Sequence, residues 1–436
     1  MEEYGIIVTG ATDCNRGDQA LNWQAKKVLK DSFGIEKVYV LKFGNENLSQ
    51  SEQQGLVLVD PILRHPSDHI KHKKSNIKYS ILLKVIWGFF AVFDWAKSKL
   101  LLSKLFSPIG YFLLSKKQKE THQIIKGASV AVVKGGGFLH SYGKLTDAYT
   151  IYYMLYHMKL AERLGKKVVV LPNSYGPFKG PTVKRQINNV LSKCVYLSTR
   201  ESISQETLKE MGLKSLQHFD MAFTLESIKT AATHAAKEKL NIQDGKIVGI
   251  TVRPYRFPDS NNPEAAYLGY KNSIKQFVIW LQNNHFRPVF VEHTFSDNAH
   301  ENDRVCIDEI EDLLPERIDV LSDRNMNCME LKHMYSNFYC VVGTRFHSVI
   351  FALSENVPCL AISYSGNKAP GIMSDLGLNE YCLSANDLRG DNLIEKFKLL
   401  VYNEAAYKEK LSELKCSVDS DYKLLCQELS LLMAGK

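Results

Sequence analysis

The sequence predicts an α/β protein made of two doubly wound, Rossmann-like domains. Its 436 residues are too many for one ordinary domain. Short Val/Ile-rich runs alternate with helical stretches nearly throughout the chain. These runs are apolar without interruption, which is typical of parallel strands buried on both faces. Helices between parallel strands imply repeated right-handed βαβ units.

Nine runs are predicted as strands. In the first half they are GIIVTG, KVYVLKF, ASVAVV, KKVVVLP and VYLST. In the second half they are KIVGITV, RPVFVEHT, CVVGT and PCLAISY. A polar stretch leading into Gln243, Asp244 and Gly245 separates the two groups. We therefore predict an N-terminal domain over residues 1–236 and a C-terminal domain over residues 237–436, which ends in amphipathic helices.

Charge and cysteine usage narrow the partners and the compartment. The net charge of +8, from 55 basic and 47 acidic residues, permits local positive patches facing phosphates or an anionic membrane. We expect no nucleic-acid partner. The nine cysteines are scattered and never spaced as CxxC, which favours free thiols over a zinc site or disulfides. With no visible secretory signal, we expect a cytoplasmic protein.

One segment interrupts the alternation of strands and helices. Residues 64–119 form a predicted helical insertion rich in Lys, Trp and Phe, and its hydrophobic part spans Asn76 to Lys117. The longest charge-free apolar run, Val85 to Phe93, is nine residues, far below the roughly 20 needed to cross a bilayer. The aromatic residues there are Trp87, Phe89, Phe90, Phe93 and Trp95. Two interpretations stay open: a peripheral helix on an anionic membrane, or an insertion packed on the first domain.

Polar residues follow the first predicted strand. Asn15, Arg16, Gly17 and Asp18 form a turn that opens a helix. Gly17 permits a tight turn, and Asp18 suits the positive end of the helix, which it could cap. Because ligands of doubly wound folds bind at the carboxyl ends of strands, Asn15, Asp18 and the preceding Asp13 are candidates to line a cleft.

Other strand ends of the first half also carry candidate residues. Gly135, Gly136 and Gly137 directly follow a strand, and three glycines let a backbone approach a ligand closely. Their spacing is neither a dinucleotide fingerprint nor a P-loop, and tight packing of a turn is the alternative. His140 and Asn173 follow the same and the next strand and are further candidates for the cleft.

The second half supplies cations at strand ends. Arg253 ends the first strand of this half, before Pro254. Arg345 and His347 stand where the strand CVVGT gives way to a helix, so helix N–H groups also point at a ligand there. Two arginines, expected opposite one another across the cleft, could each grip a carboxylate or phosphate. A histidine beside them can move a proton near neutral pH.

Taken together, several stretches resemble the polysaccharide pyruvyl transferase family. The resemblance covers roughly residues 5 to 378 and is carried by NRGDQAL, VVKGGGFL, SYGPF, STRESIS, FDMAF and TVRP. Its specific part is VVGTRFHSVIFALSENVPCLAISYSGNKAPGIMSDLGL, which contains Arg345, His347 and Lys368. The resemblance implies a fold similar to the GT-B glycosyltransferases, in which two Rossmann-like domains face a central cleft without a required metal or cofactor.

The resemblance also implies a reaction. Phosphoenolpyruvate would be the donor, and a sugar in a surface polysaccharide or its lipid-linked precursor the acceptor. The product would be a pyruvate ketal, with phosphate released. Arg253, Arg345, His347 and Lys368 match the donor side. On chemical grounds His347 would act as general acid or as a hydrogen-bond donor to the departing phosphate, and Asp18 would be the base, with Asp13 and His140 as competitors.

Two further functions stay open at this point. A metal-independent glycosyltransferase using a nucleotide sugar would need the same cationic cleft, since fold does not fix function. A non-catalytic sugar-phosphate binding module would keep Arg253 and Arg345 and show no turnover with any donor.

Overall fold

The computed structural model describes residues 3–42, 44, 46–69, 80–241, 246–258, 260–364 and 366–434. Gln243, Asp244 and Gly245, and the first residues of the predicted hydrophobic segment, 76–79, lie outside these ranges. The described chain forms two compact α/β units, each with its own sheet. Every strand pairing within the two sheets is parallel, as the uninterrupted apolar runs predict.

The first unit is built around an eight-stranded sheet. Its strands are β1 (Tyr4–Ala11), β2 (Lys37–Lys42), β3 (Leu56–Val59), β4 (Val130–Val133), β5 (Gly136–Tyr142), β6 (Val168–Lys179), β7 (Tyr196–Thr199) and β8 (Leu216–Gln217). Their order is β3-β2-β1-β4-β6-β7-β8, and β5 pairs with β6. Ile6, Val132 and Val170 are fully buried in the core of this unit.

The helices that belong wholly or mostly to this unit precede residue 211. They are α1 (Arg16–Phe33), α2 (Ser49–Gln53), α3 (Ile81–Leu102), α4 (Ser107–Phe112), α5 (Lys116–Gly127), α6 (Asp147–Arg163), α7 (Val183–Leu191) and α8 (Ser202–Glu210). Within the predicted insertion, α3 begins at a cap, because the Ser80 side chain accepts from the Leu83 N–H at 3.2 Å. None of the described helices is both long and apolar enough to span a bilayer.

The second unit contains a six-stranded sheet with the strand order of a Rossmann fold. Its strands are β9 (Lys246–Thr251), β10 (Phe286–Val291), β11 (Asp319–Leu321), β12 (Cys340–Gly343), β13 (Cys359–Ser363) and β14 (Cys382–Ser384), in the order β11-β10-β9-β12-β13-β14. The remaining helices are α9 (Ala231–Lys239), α10 (Pro263–Asn283), α11 (Asp303–Glu311), α12 (Cys328–Tyr335), α13 (Phe346–Ser354), α14 (Lys368–Asp375), α15 (Gly390–Tyr402) and α16 (Glu404–Ala434). The strand order reverses between β9 and β12, so a ligand site is expected at their carboxyl ends.

The grouping of the chain differs from a single division at residue 236. The second unit begins at Ala222 and also includes Cys14–Ala20, so α1 starts among its residues. Residues Asp421–Lys436 group with the first unit instead of the second. There the Asp421 carboxylate accepts from the Phe219 N–H at 2.8 Å, and Tyr196 donates to Glu428 at 2.6 Å. Such contacts join residues that are distant in sequence. They produce no periodic pattern in the sequence from which this grouping could be predicted.

Candidate active site

Arg253 and Arg345 follow two adjacent strands of the second unit. β9 and β12 pair in parallel at the centre of the sheet. Each arginine lies two residues beyond the end of its strand, where the strand order reverses. This is where doubly wound sheets bind ligands. The expectation that the two arginines oppose one another across a cleft is wrong, because both extend from the same edge of one sheet.

Glu301 joins the two guanidinium groups. Arg253 Nη2 lies 3.1 Å from Glu301 Oε1, and Arg345 Nη1 lies 3.1 Å from Oε2. Burial alone would raise the pKa of Glu301, but Arg253 and Arg345 outweigh it and hold this pKa below its ordinary value. The side chain keeps 47% of its surface exposed. The paired arginines therefore bind an ionised carboxylate at an accessible position.

A second carboxylate fixes the orientation of Arg345. Asp303 is fully buried and its Oδ1 accepts from Arg345 Nε at 2.7 Å. Its Oδ2 accepts from the backbone N–H groups of His293 and Thr294 at 3.0 and 2.9 Å. Burial raises the pKa of Asp303, and the Arg345 charge only partly offsets this. The Arg345 guanidinium is thus held in one orientation: its Nε donates to Asp303 and its Nη1 donates to Glu301.

Tyr364 completes the cationic cluster. Lys368 Nζ donates to the Tyr364 hydroxyl at 2.7 Å, and the Arg253 guanidinium lies 4.3 Å from the centre of the Tyr364 ring. Burial would raise the pKa of Tyr364, but Lys368, Arg253 and Arg345 together lower it to about 7. The sequence analysis did not single out Tyr364. The feature that could have identified it is its position directly after β13, four residues before Lys368.

His347 lies in the first turn of α13, as predicted. Its imidazole packs directly on Gly17: a Cβ added at Gly17 would lie 2.2 Å from His347 Nδ1. Gly17 is therefore required for this close approach and not only for the turn. Residues 14–20 belong to the second unit, where the Arg16 N–H donates to the His293 carbonyl at 3.2 Å.

The assignment of Asp18 to the first domain is therefore wrong, because the structure groups it with His347. Nor does Asp18 cap α1. The cap is Asn15, whose Oδ1 accepts from the N–H groups of Gly17 and Asp18 at 3.0 and 3.3 Å. Asn15 Nδ2 also donates to Asp18 Oδ2 at 3.0 Å. This contact orients the Asp18 carboxylate at the positive end of the helix.

His293 and Arg16 are site residues that the sequence analysis missed. His293 is buried at the end of β10, and its Nδ1 lies 3.2 Å from the Tyr335 hydroxyl. Burial lowers its pKa well below the ordinary value; the charges of His347, Arg345 and Arg16 lower it further, and Asp18 opposes them. His293 is therefore a neutral imidazole among these charged groups. Arg16 lies 4.9 Å from the Phe295 ring centre, and its Nη2 donates to the Arg324 carbonyl at 2.7 Å.

The other candidates lie in the first unit. Asp13 is buried, and its two oxygens accept from the backbone N–H and the hydroxyl of Ser51 at 3.0 and 2.5 Å. It thereby holds the start of the short helix α2. Asn173 is fully buried in β6 and donates to the Ser174 carbonyl at 2.8 Å. The structure does not group either residue with the cationic cluster.

The three glycines have different surroundings. Gly135 adopts φ +84°, and a Cβ there would lie 2.3 Å from the Pro172 carbonyl oxygen, so this glycine serves tight packing against β6. Gly136 and Gly137 begin β5, which continues past them as a strand. His140 lies on β5, exposed, with Nδ1 3.1 Å from the Gly137 carbonyl oxygen.

Solved structures with the same fold are known. The chain is similar to HepE of Anabaena in complex with UDP-glucose, with a TM-score of 0.56, 8% identity and coverage of 99% of this chain and 100% of that one. It is similar to a UDP-GlcNAc 2-epimerase of Methanocaldococcus jannaschii, with a TM-score of 0.52, 14% identity and 92% coverage of both chains. It is also similar to an α,α-trehalose 6-phosphate synthase of Burkholderia multivorans, with a TM-score of 0.52, 10% identity and coverage of 100% and 96%. At these identities the likeness establishes a GT-B-like, two-domain α/β fold.

The family is established by sequence. The family model described as polysaccharide pyruvyl transferase matches residues 15–366. This range includes the turn at Asn15–Asp18 and every residue of the cationic cluster except Lys368, which lies two residues beyond it. Because the match covers well over half of the chain, the protein belongs to the polysaccharide pyruvyl transferase family.

Proposed function

We propose that the protein transfers a pyruvyl group from phosphoenolpyruvate to two hydroxyls of a sugar, forming a pyruvate ketal and releasing phosphate. Family membership supports a transferase that acts on a sugar or polysaccharide acceptor. The observation that carries the donor assignment is the pair Arg253 and Arg345 on the ionised Glu301 carboxylate, with Lys368 beside them on Tyr364. Phosphoenolpyruvate presents a carboxylate and a phosphate on a three-carbon frame, which suits cations held in fixed directions.

The proposed chemistry begins with proton transfer to the methylene carbon of the donor. His347 supplies this proton, and C2 becomes electrophilic as the methylene becomes a methyl group. A sugar hydroxyl adds to C2 and gives its proton to a base. The C2–O bond to phosphate then breaks, and the electron pair leaves with inorganic phosphate. A second hydroxyl adds to C2, and its proton leaves with the phosphate or the base.

The residues of the second unit suggest the following roles. Arg253 and Arg345 hold the donor anion in place of Glu301, and Lys368 neutralises charge on the leaving phosphate. Asp18 is the proposed base, because it belongs to the same unit as His347 and its carboxylate is oriented by Asn15. Neutral His293 can donate or accept a hydrogen bond near these groups without adding charge.

The proposed acceptor is a lipid-linked oligosaccharide of a surface polysaccharide, such as a capsule or exopolysaccharide. Such an acceptor would be presented at the inner face of the cytoplasmic membrane, and we propose that the protein works there as a peripheral enzyme. No cofactor or metal is part of the proposal, and phosphoenolpyruvate acts as a co-substrate.

The experiment compares donors and products directly. The purified protein is incubated with a panel of lipid-linked oligosaccharides and either phosphoenolpyruvate or UDP-glucose, the ligand named for the HepE structure. We expect phosphate release only with phosphoenolpyruvate, and an acceptor whose mass rises by one pyruvyl unit. His347→Gln serves as the control, since it keeps a hydrogen-bonding side chain without the titrating imidazole. Transfer of glucose from UDP-glucose would replace the proposal with glycosyl transfer, and binding without turnover would indicate a non-catalytic module.

A further inference from the structure

The helix α3 in the first unit is inverted in polarity. Seven of its exposed residues are large and apolar: Ile81, Leu82, Val85, Phe89, Val92, Phe93 and Trp95. Lys84 and Lys99 are exposed as well. Its buried residues include Asp94 and Ser98, and Asp94 Oδ2 lies 2.6 Å from His69 Nε2. The Ser98 hydroxyl lies 2.6 Å from that of Tyr152 on α6. A helix in contact with water on its outer side normally shows the opposite arrangement.

The exposed apolar residues continue beyond α3. Leu105, Ile109 and Phe112, in and before α4, are also exposed, Phe112 at 78% and Phe89 at 70%. We call these three residues and the seven exposed apolar residues of α3 the apolar face. Isolated apolar residues are common on protein surfaces, but a contiguous set of this size marks an interaction site.

Two further aromatic residues of α3 do not belong to the apolar face. Trp87 and Phe90 are only partly exposed. The Phe90 ring stacks on His69 at 4.6 Å between centroids and helps to attach α3 to the unit. The segment therefore has a side packed on the first unit, as one of the two sequence interpretations expects, and an exposed apolar side.

The charged residues of the segment that carries the apolar face are mostly basic. Residues 80–119 contain seven lysines and one carboxylate, Asp94, which is buried. Lys84, Lys104, Lys116 and Lys117 are exposed. The ten preceding residues, 70–79, contain four more lysines and no carboxylate in the sequence.

A cavity adjoins α4 and adds to this charge. It has a volume of about 370 Å³ and lies among α4, α5 and α6. Its lining includes Tyr111 of α4 and the basic residues Lys126 and Arg163. A space of this size lined by two cations suits a phosphate headgroup.

We propose that the apolar face inserts into the interfacial region of a membrane with anionic headgroups. Exposed aromatic and aliphatic side chains bury themselves below the headgroups, while surrounding lysines attract the anionic surface. The sign of the charge selects this partner over a second copy of the chain, since two such faces would bring lysines against lysines. The inference concerns binding alone and does not depend on the proposed reaction.

The experiment is flotation of the full-length protein with vesicles. Vesicles of phosphatidylcholine alone are compared with vesicles that also contain phosphatidylglycerol. We expect binding to the anionic vesicles that weakens with added salt. Phe89→Ser/Phe93→Ser should lower the partition coefficient by roughly ten-fold or more. The matched control is Leu424→Ser/Leu431→Ser, which removes two exposed leucines from α16 in the same unit.

Additional measurements separate the alternatives. Lys84→Gln/Lys104→Gln leaves the apolar face intact and should weaken binding to anionic vesicles only, so the proposal remains testable if the phenylalanine variant does not fold. Circular dichroism reports folding of each variant. The proposal is overturned if the protein does not float with anionic vesicles, or if both double variants bind as the wild type does. It is also overturned if the protein is a dimer in solution that the phenylalanine changes convert to a monomer, because the face is then a self-association surface.

Discussion

Arg253 and Arg345 carry the same charge but are held differently, so their removal should have different consequences. Arg253→Ala breaks contacts to the accessible Glu301. A charge-assisted hydrogen bond contributes about 1.5–3 kcal/mol, so kcat/KM for phosphoenolpyruvate should fall roughly ten- to hundred-fold while the free energy of unfolding changes little. Arg345→Ala should impair donor use similarly and also lower the free energy of unfolding by about 3–5 kcal/mol, because Asp303 stays buried without its partner.

Steady-state kinetics and urea denaturation of both variants test this pair of expectations. Donor use unaffected in Arg253→Ala would remove this residue from the donor site. Wild-type stability in Arg345→Ala would show that Asp303 is protonated or hydrated without the guanidinium.

Substitution of Gly17 should disturb the position of the His347 imidazole. In Gly17→Ala the new methyl group overlaps the His347 ring, so either the ring or the start of α1 must move. We expect turnover to fall at least about ten-fold, because a catalytic group displaced by even an ångström loses its alignment. The control is Gly269→Ala in α10, where a Cβ meets nothing within 4 Å. If Gly17→Ala keeps wild-type turnover, the contact between Gly17 and His347 does not position the imidazole for catalysis.

Tyr364 predicts a pH dependence. Its pKa of about 7 means that a phenolate forms beside Lys368 as the pH rises through neutrality. The added negative charge competes with an anionic donor, so the KM for phosphoenolpyruvate should rise above about pH 7 more steeply in the wild type than in Tyr364→Phe. Because the folded-state pKa lies below that of free tyrosine, the phenolate stabilises the fold fully above about pH 10, and this contribution is lost as the pH falls through about 7.

Ultraviolet absorbance of the phenolate measures this titration directly. The difference between wild type and Tyr364→Phe should show one tyrosine ionising near pH 7. If that difference shows no ionisation below about pH 9, Lys368, Arg253 and Arg345 do not lower the pKa of Tyr364 as described.

At the scale of elements, the segment between β10 and α11 places the Glu301 carboxylate in contact with both arginines. An anionic donor would have to displace this carboxylate from the same N–H groups. Glu301→Gln keeps the size of the side chain and removes its charge, so we expect KM for phosphoenolpyruvate to fall roughly three- to ten-fold. The control is Glu309→Gln on α11, which breaks an ion pair with Lys271 away from the two arginines. A rise in KM would instead show that Glu301 holds the arginines in their binding geometry.

The sequence predicted the elements well where burial determines the pattern. All nine predicted runs are strands, because uninterrupted Val and Ile residues between helices fit a sheet covered on both faces. The strands β3, β5, β8, β11 and β14 were not predicted. β8, β11 and β14 have two or three residues, too few for a periodic signal, and β5 begins with glycines that favour a turn.

The candidate site was predictable only in part. Arg253, Arg345 and His347 were found because they lie at fixed offsets from strands that the sequence reveals. Glu301 and Asp303 were not, because the path of the segment after β10 depends on contacts with distant residues. The position of Asp18 in the second unit was missed for the same reason. β1 leads into this turn by sequence, but neighbouring residues of the turn bond to the second unit: the Arg16 N–H donates to the His293 carbonyl, and the Cys14 carbonyl accepts from the Phe295 N–H.

At the scale of the whole molecule, each unit is completed by a segment distant in sequence. The second unit includes residues 14–20, which place Gly17 on His347. The first unit includes residues 421–436, the end of α16. In the latter case the segment supplies two carboxylates to a buried imidazole: His218 Nδ1 lies 2.9 Å from Asp421 Oδ1, and Nε2 lies 3.1 Å from Glu428 Oε2.

These contacts predict that the end of α16 stabilises the first unit. Asp421→Ala/Glu428→Ala removes both carboxylate partners of His218, whose side chain is only 2% exposed, and leaves it the Tyr196 hydroxyl at 2.7 Å; Tyr196 in turn loses its Glu428 acceptor. Loss of hydrogen-bond partners from buried polar groups costs about 1–3 kcal/mol, so the first unit should unfold at lower urea concentration and its amide hydrogens should exchange faster. Glu413→Ala changes an exposed carboxylate on the same helix and is the matched control. Hydrogen exchange read by mass spectrometry localises the effect: faster exchange around β7 and β8 with little change in β9 and β12 is expected, whereas an unchanged first unit would show that residues 421–436 contribute nothing to its stability.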